Sequence, residues 1–292
     1  MSDSAFAARL GGAVKYLAPD RDELEIASAA ASYLADAMPV ERLHEADAAD
    51  MSAALRANLA EMGWFALALA SDAGGSGLSA VEHALFFREV GRQCGPLDVL
   101  TQSLAANVVQ DEALRGSITS GAVGIALAVL DGDNLRIFGA PDAAFVLLVD
   151  RSGAELFGAP QAKDKQSLDP AMSMRVVASA HAAIASFSGS HIWQLGQLGI
   201  AAMLVGLAEA ALDQIVEYAK VRETFGKKIG AWQAVRHPCA DMAIRVEAAR
   251  SQLWYAAAAI KKSRGDAEAH LDAAKHCANQ AALANVDTSI RL

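Results

Sequence analysis

Hydrophobic and polar positions change texture twice along the chain. Asp20 stands three residues before Glu23, a capping-box start for a helix running towards Met38. A second helix is predicted over about Asp47 to Met62, stopped by Gly63. Ser79 and Glu82 form a further capping box, opening a helix that carries Val81, Ala84, Leu85 and Arg88 and ends near Gly91. Pro96 opens a fourth, reaching roughly to Leu114. From Gly116 to Ser190 the pattern shortens to β-like runs at Gly124–Leu130, Leu135–Phe138, Ala144–Val149, Leu156–Phe157 and Arg175–Ala178. Turn signals such as Asp131-Gly132-Asp133-Asn134 and Arg151-Ser152-Gly153 divide them, which predicts a small sheet or barrel. Helical spacing then returns. Leu198, Ala201, Val205, Ala208, Leu212, Ile215 and Ala219 form one apolar stripe, and Met242, Val246, Ala249, Leu253, Ala256 and Ile260 form a second. Gly265-Asp266 breaks the pattern and caps a last helix.

The expected architecture is therefore mainly α with a small central β domain. A mobile leader covers 1–18, an N-terminal helical domain 19–115, a β domain 116–190 and a C-terminal helical domain 191–292. Composition sharpens this picture. Of 292 residues, 66 are alanine, the best helix former, which points to closely packed helices. With 53% hydrophobic and 20% charged residues the chain has a sizeable core and is not a disordered one.

The net charge of −9, with no basic run beyond Lys227-Lys228 and Lys261-Lys262, argues against nucleic-acid binding. Cys94, Cys239 and Cys277 are odd in number and far apart, as expected for a cytoplasmic protein without a disulfide framework. The stretch Leu195–Leu212 holds Gln197, several glycines and Glu209, so it reads as a core helix and no membrane span is expected.

Residue types alone disclose no active site. Gly74-Gly75-Ser76-Gly77 lacks the lysine and the spacing of a phosphate-binding loop and reads as a tight structural turn. His237-Pro238-Cys239 and His276-Cys277 are not metal patterns, because neighbouring helical residues point to different sides. His44, His83 and His181 look incidental. The most specific segment runs from Val221 to Gln233. There Phe225-Gly226 reads as a helix stop and turn that exposes Arg222, a planar bidentate donor suited to a phosphate or pyrophosphate, or else simply a solvated arginine.

Arg222-x-x-Phe225-Gly226, then Gln233, then Ala240-Asp241-Met242, resembles the signature of the acyl-CoA dehydrogenase family. Gly63-Trp64, Gly74–Ser79 and Glu89-Val90-Gly91-Arg92 are similar to the family's N-terminal domain. Ser167-Leu168-Asp169-Pro170 with the strand Met174–Val177 is similar to its middle β domain. The resemblance implies FAD-dependent oxidation of an acyl-CoA thioester to the trans-2-enoyl form. A glutamate takes the α-proton, FAD takes the β-hydride, and an electron-transfer flavoprotein or similar acceptor takes the electrons. It further implies that Arg222, Thr224, Phe225, Trp232 and Gln233 reach an FAD held by a neighbouring subunit.

The chain departs from the family pattern in its β domain, where Ala126–Asn134 stands in place of the T-E-P-x-x-G-S-D-like loop that holds the flavin. The glutamate that usually follows a Q-x-x-x-G-G-like loop has no counterpart up to Leu292, and the alternative base position matches Gly196, followed by Gln197 where an arginine often binds substrate. No catalytic residue and no metal ligand is therefore assigned. This pattern resembles the reduced subunit of heteromeric α2β2 acyl-CoA dehydrogenases, a group associated with bulky, steroid-derived CoA thioesters, in which a related subunit supplies the flavin bed and the glutamate. Two other readings stay open: a homomeric acyl-CoA dehydrogenase cut short after Leu292, and a non-catalytic scaffold that stabilises a flavoenzyme partner.

Overall fold

The computed structural model describes residues 18–44, 52–165 and 172–292. The expected leader, apart from its last residue, the start of the expected helix at Asp47 and the Ser167–Pro170 motif lie outside the described residues. Contacts along the chain gather into two compact units. One takes residues 80–93 and 198–292 with the chain up to Ala31, the other residues 32–79 and 94–197.

Helix α1 (Arg21–Ala37) starts on the capping box read from the sequence. The Asp20 amide donates to Glu23 Oε2 at 2.7 Å and the Glu23 amide returns the bond to Asp20 Oδ1 at 2.9 Å. Helix α2 (Ala53–Glu61) is capped by Ser52, whose hydroxyl accepts from the Leu55 amide, and Gly63 at φ 75° turns the chain into a short 3-10 segment with Trp64 and Phe65 buried. The glycine loop that follows is closed by its own backbone. Gly75 donates to Ala70 O, Ser76 to Ala66 O, and Gly77 to Leu69 O at 2.8 Å. A Cβ on Gly75 would lie 2.1 Å from Leu69 O, so glycine is needed for close approach within the turn.

Helix α3 (Ala80–Arg92) is followed by two short helices where the sequence predicts one. Helix α4 (Asp98–Ala106) stops at Asn107, and α5 (Glu112–Thr119) restarts at Asp111, whose carboxylate accepts from the Leu114 amide at 2.7 Å. An aspartate N-cap in mid-pattern competes with helix continuation, and here it wins.

Seven strands form one mixed sheet in the order β5-β6-β2-β1-β3-β4-β7. They are β1 (Ile125–Asp131), β2 (Asn134–Phe138), β3 (Phe145–Val149), β4 (Gly153–Gly158), β5 (Asp164–Lys165), β6 (Met174–Ala178) and β7 (Ala183–Ser188). Strand β1 pairs antiparallel with β2 and parallel with β3. Alternation puts Leu135 and Ile137 into a core with Ala126, Ala128, Val146 and Phe157. Strand β7 has no counterpart among the β-like runs of the sequence: its small Ala and Ser residues carry little alternation, and pairing with β4 makes it a strand.

Three long helices complete the chain: α6 (His191–Val221), α7 (Gln233–Lys261) and α8 (Ala267–Arg291). Helix α6 is long and apolar enough to cross a membrane. Its apolar stripe (Leu198, Ala201, Val205, Ala208, Ile215) is buried, as in a core helix.

Within the first unit, α3 crosses α6 at backbone distance. A Cβ on Gly91 would fall 2.0 Å from Met203 O, and one on Gly206 would fall 2.0 Å from Arg88 O. Glu209 is 4% exposed and accepts from Arg88 Nε at 2.7 Å, with Arg92 and Arg250 each at 3.4 Å. Arg92 also reaches Asp213 at 2.6 Å. Burial pushes the neighbouring Glu89 carboxyl up, against the pull of Arg88 and Arg92. The Glu89-Val90-Gly91-Arg92 motif is thus a packing device, with glycine for contact and arginine for the buried carboxylate.

Candidate functional site

The five residues singled out from the sequence fall within one surface segment between α6 and α7. Helix α6 gives its last bond from the Arg222 amide to Tyr218 O at 2.9 Å, and the chain then folds back as a hairpin. Strand β8 (Glu223–Thr224) pairs with β9 (Lys227–Lys228), Glu223 opposite Lys228 and Thr224 opposite Lys227. The two-residue loop between them holds Phe225 at φ 53° and Gly226 at φ 74°. Both central residues of such a tight hairpin must take positive φ, which suits glycine and strains phenylalanine. Phe225 is nevertheless 91% exposed. A strained backbone that carries an aromatic ring into solvent, with no packing contact among the described residues, is a feature of a binding surface rather than of a core.

Arg222 sits at the root of this hairpin. Its carbonyl accepts from the Ile229 amide at 2.8 Å, so its backbone is held on both sides. Its guanidinium is exposed and has no partner among the described residues. Beyond the hairpin, a 3-10 turn (Ile229–Ala231) packs on the end of α6, where a Cβ on Gly230 would lie 3.0 Å from Ala219 O. Trp232 precedes α7 in extended geometry, half-exposed, with the Lys227 ammonium 5.7 Å from its ring centre. Gln233 is the exposed first residue of α7, whose N-terminus has no side-chain cap bond; the Val235 and Arg236 amides donate to Trp232 O. Beside this segment lies a cavity of about 250 Å³ lined by Val216, Ala219, Lys220, Val235, Arg236 and Cys239, whose thiol is pushed up by burial.

The donor set fits a dinucleotide cofactor. An unpaired guanidinium on a fixed backbone matches a diphosphate, the Thr224 hydroxyl and Gln233 amide add polar contacts, and Phe225 and Trp232 offer flat apolar surface. All of these groups lie on the surface of this chain.

Three carboxylates elsewhere on the long helices are already engaged. Asp213 holds Arg92, Glu217 pairs with Lys220 at 2.5 Å, and Glu247 pairs with Arg250. Gly196 is buried, and a Cβ there would meet Leu104 Cδ1 at 3.3 Å. The stretch that stands in place of the family's flavin-holding loop is the β1–β2 hairpin, in which Asp131 pairs with Asn134 across a two-residue turn. Among the described residues no group of three or more His, Cys, Asp or Glu is placed to hold a metal. Sequence reasoning missed the Glu223–Lys228 ion pair at 2.8 Å, although the two-residue Phe225-Gly226 turn already fixes these positions as cross-strand partners.

Comparison with known proteins identifies the family. The family model for the acyl-CoA dehydrogenase N-terminal domain matches residues 20–115, and that for the C-terminal domain matches residues 193–292. Acyl-CoA dehydrogenase FadE34 of Mycobacterium tuberculosis is 34% identical over 229 residues, 72% of this chain and 32% of that protein. The chain thus spans about a third of the length of that relative. Among solved structures, a variant of the steroid ACAD Tcur3481-Tcur3483 has a TM-score of 0.76 at 24% identity, covering 92% of this chain and 86% of the other. The ChsE4-ChsE5 complex from Mycobacterium tuberculosis has a TM-score of 0.73 at 21% identity, covering 94% and 87%. These likenesses establish a shared fold. By its two domain matches, which together cover residues 20–115 and 193–292, the chain belongs to the acyl-CoA dehydrogenase family.

Proposed function

We propose that this chain is one subunit of a FAD-dependent acyl-CoA dehydrogenase that introduces an α,β double bond into an acyl-CoA thioester, together with a related subunit in an α2β2 assembly. The observation that carries this reading is a contrast within the chain. A hairpin with an exposed arginine that has no partner among the described residues stands at the surface, while the stretch in place of the flavin-holding loop is a β-hairpin and the alternative base position is Gly196.

In this reading the partner holds the isoalloxazine and supplies the glutamate. Arg222 pairs with the diphosphate, Thr224 and Gln233 donate hydrogen bonds beside it, and Phe225 and Trp232 cover apolar surface across the interface. When bound, FAD accepts the hydride from the acyl β-carbon. This chain's own residues orient the cofactor and exclude water, and Gly196, at the alternative base position, has no side chain to move the α-proton. Leu104 against Gly196 leaves no space for a glutamate side chain at the alternative base position without displacement of the leucine.

The bulky, steroid-derived acyl group and the heteromeric assembly are supported by the two-component steroid ACAD and the ChsE4-ChsE5 complex that share this fold. An electron-transfer flavoprotein or similar acceptor would reoxidise the flavin. A cytoplasmic setting is supported by cysteines that are odd in number and far apart in the sequence, Cys94, Cys239 and Cys277.

Flavin stoichiometry tests the division of labour. The assembly co-purified through a tag on this chain should carry one FAD per pair of chains, and one per chain would overturn the proposal. In that assembly Arg222→Ala should weaken FAD binding by about 1.5–3 kcal/mol, the range for a charge-assisted hydrogen bond. A scaffold that leaves the cofactor untouched would keep its flavin.

A further inference from the structure

We infer that Lys228 is a positioning residue that keeps Arg222 open for an anionic diphosphate by occupying the adjacent carboxylate of Glu223. The inference rests on the FAD contact proposed above and names the device that makes it possible.

Arg222 has an acidic neighbour in sequence at the root of an exposed hairpin. A free carboxylate there would oppose an incoming diphosphate and compete for the guanidinium. The cross-strand register prevents this. Lys228 stands opposite Glu223, and its ammonium lies 2.8 Å from Glu223 Oε1. The same ammonium donates to Val221 O, the last helical carbonyl of α6, at 3.2 Å. Lys228 thereby ties together the residues on either side of Arg222, whose own amide and carbonyl are bonded to Tyr218 and Ile229. The result is a guanidinium on a fixed backbone with no acceptor of its own among the described residues, next to a carboxylate that is already taken. Lys227, directed towards Trp232, keeps the rest of the hairpin cationic.

An ion pair this exposed contributes little to folding, so its removal should leave a folded protein. Its value lies in which charge remains unpaired beside the ligand. An uncompensated carboxylate a few ångströms from a diphosphate, at surface dielectric, should weaken binding roughly tenfold.

The test uses the full chain in the assembly co-purified with its partner, stripped of flavin and titrated with FAD by flavin fluorescence. Lys228→Met should bind FAD roughly tenfold more weakly. The gap should narrow at high salt, because screening acts on exposed charges. Adding Glu223→Gln to Lys228→Met should restore affinity to near that of the unmodified protein, which a lysine acting only as a mechanical tie would not allow. Two results overturn the inference while leaving the proposed function intact: Lys228→Met binding as well as the unmodified protein while Arg222→Ala is weak, or a double variant no better than Lys228→Met. An Arg222→Ala variant that binds FAD normally would instead overturn the underlying reading, and this inference with it.

Discussion

Replacing Gly206 with alanine should destabilise the protein, against the sign expected for a glycine inside a helix. On propensity alone, Gly to Ala at an unobstructed helical position is favourable by about 0.4–1 kcal/mol. At Gly206 the new methyl carbon would lie 2.0 Å from Arg88 O and 2.9 Å from the Arg92 amide, both on α3. Van der Waals contact needs roughly 3.5–4.0 Å, so α3 and α6 would have to separate by more than an ångström. Overpacking of this kind costs about 1–3 kcal/mol and occasionally more. The separation would also stretch the bonds from Arg88 and Arg92 to Glu209, at 2.7 and 3.4 Å. A net loss of about 2 kcal/mol is expected, which lowers Tm by roughly 4–8 °C in a chain of this size class. Gly116 is the control: it lies exposed in α5, where an added methyl carbon would have nothing within 4 Å, so Gly116→Ala should raise Tm by a few degrees. Thermal unfolding of both variants under identical conditions decides the matter. A Gly206→Ala protein as stable as the unmodified one, with Gly116→Ala behaving as expected, would refute the backbone-contact account of the α3–α6 crossing.

Other consequences are as specific. Glu209→Ala leaves Arg88, Arg92 and Arg250 without their common acceptor, and chemical denaturation should show a loss near the lower end of roughly 3–5 kcal/mol, because the arginines are partly solvated; a loss under about 1 kcal/mol would sink this account of the cluster. His181 has Nε2 at 2.6 Å from Glu155 and Nδ1 at 2.7 Å from Ser179 O, and the Glu155 hydrogen bond raises its pKa. A raised folded pKa stabilises fully below the ordinary imidazole range and is lost as pH rises through the raised value. The Tm gap between the unmodified protein and His181→Gln should therefore be present in mildly acidic buffer and close in alkaline buffer, and a gap that widens with pH would contradict it. Asp20→Ala removes half of the reciprocal cap on α1 and should cost about 1 kcal/mol in denaturant titration, whereas an unchanged midpoint would mean that the cap contributes nothing.

What the sequence determined by itself was local. Residues within four positions of each other decide a cap or a stripe, so Asp20 with Glu23, Asp131–Asn134 and the apolar stripes of α6 and α7 could be read directly. The helix stop and turn at Phe225-Gly226 was legible for the same reason, whereas the pairing of β8 with β9 that makes it a hairpin was not read from the sequence. Tertiary structure alone decided what depends on distant partners. Strand β7 exists because β4 pairs with it, Gly91 and Gly206 are required because another helix comes within 2.0 Å, and Glu209 is buried because arginines from two other helices meet it there. The openness of Arg222 belongs to both levels: its exposure follows from the turn, while the occupation of Glu223 by Lys228 is settled only when the two strands come together.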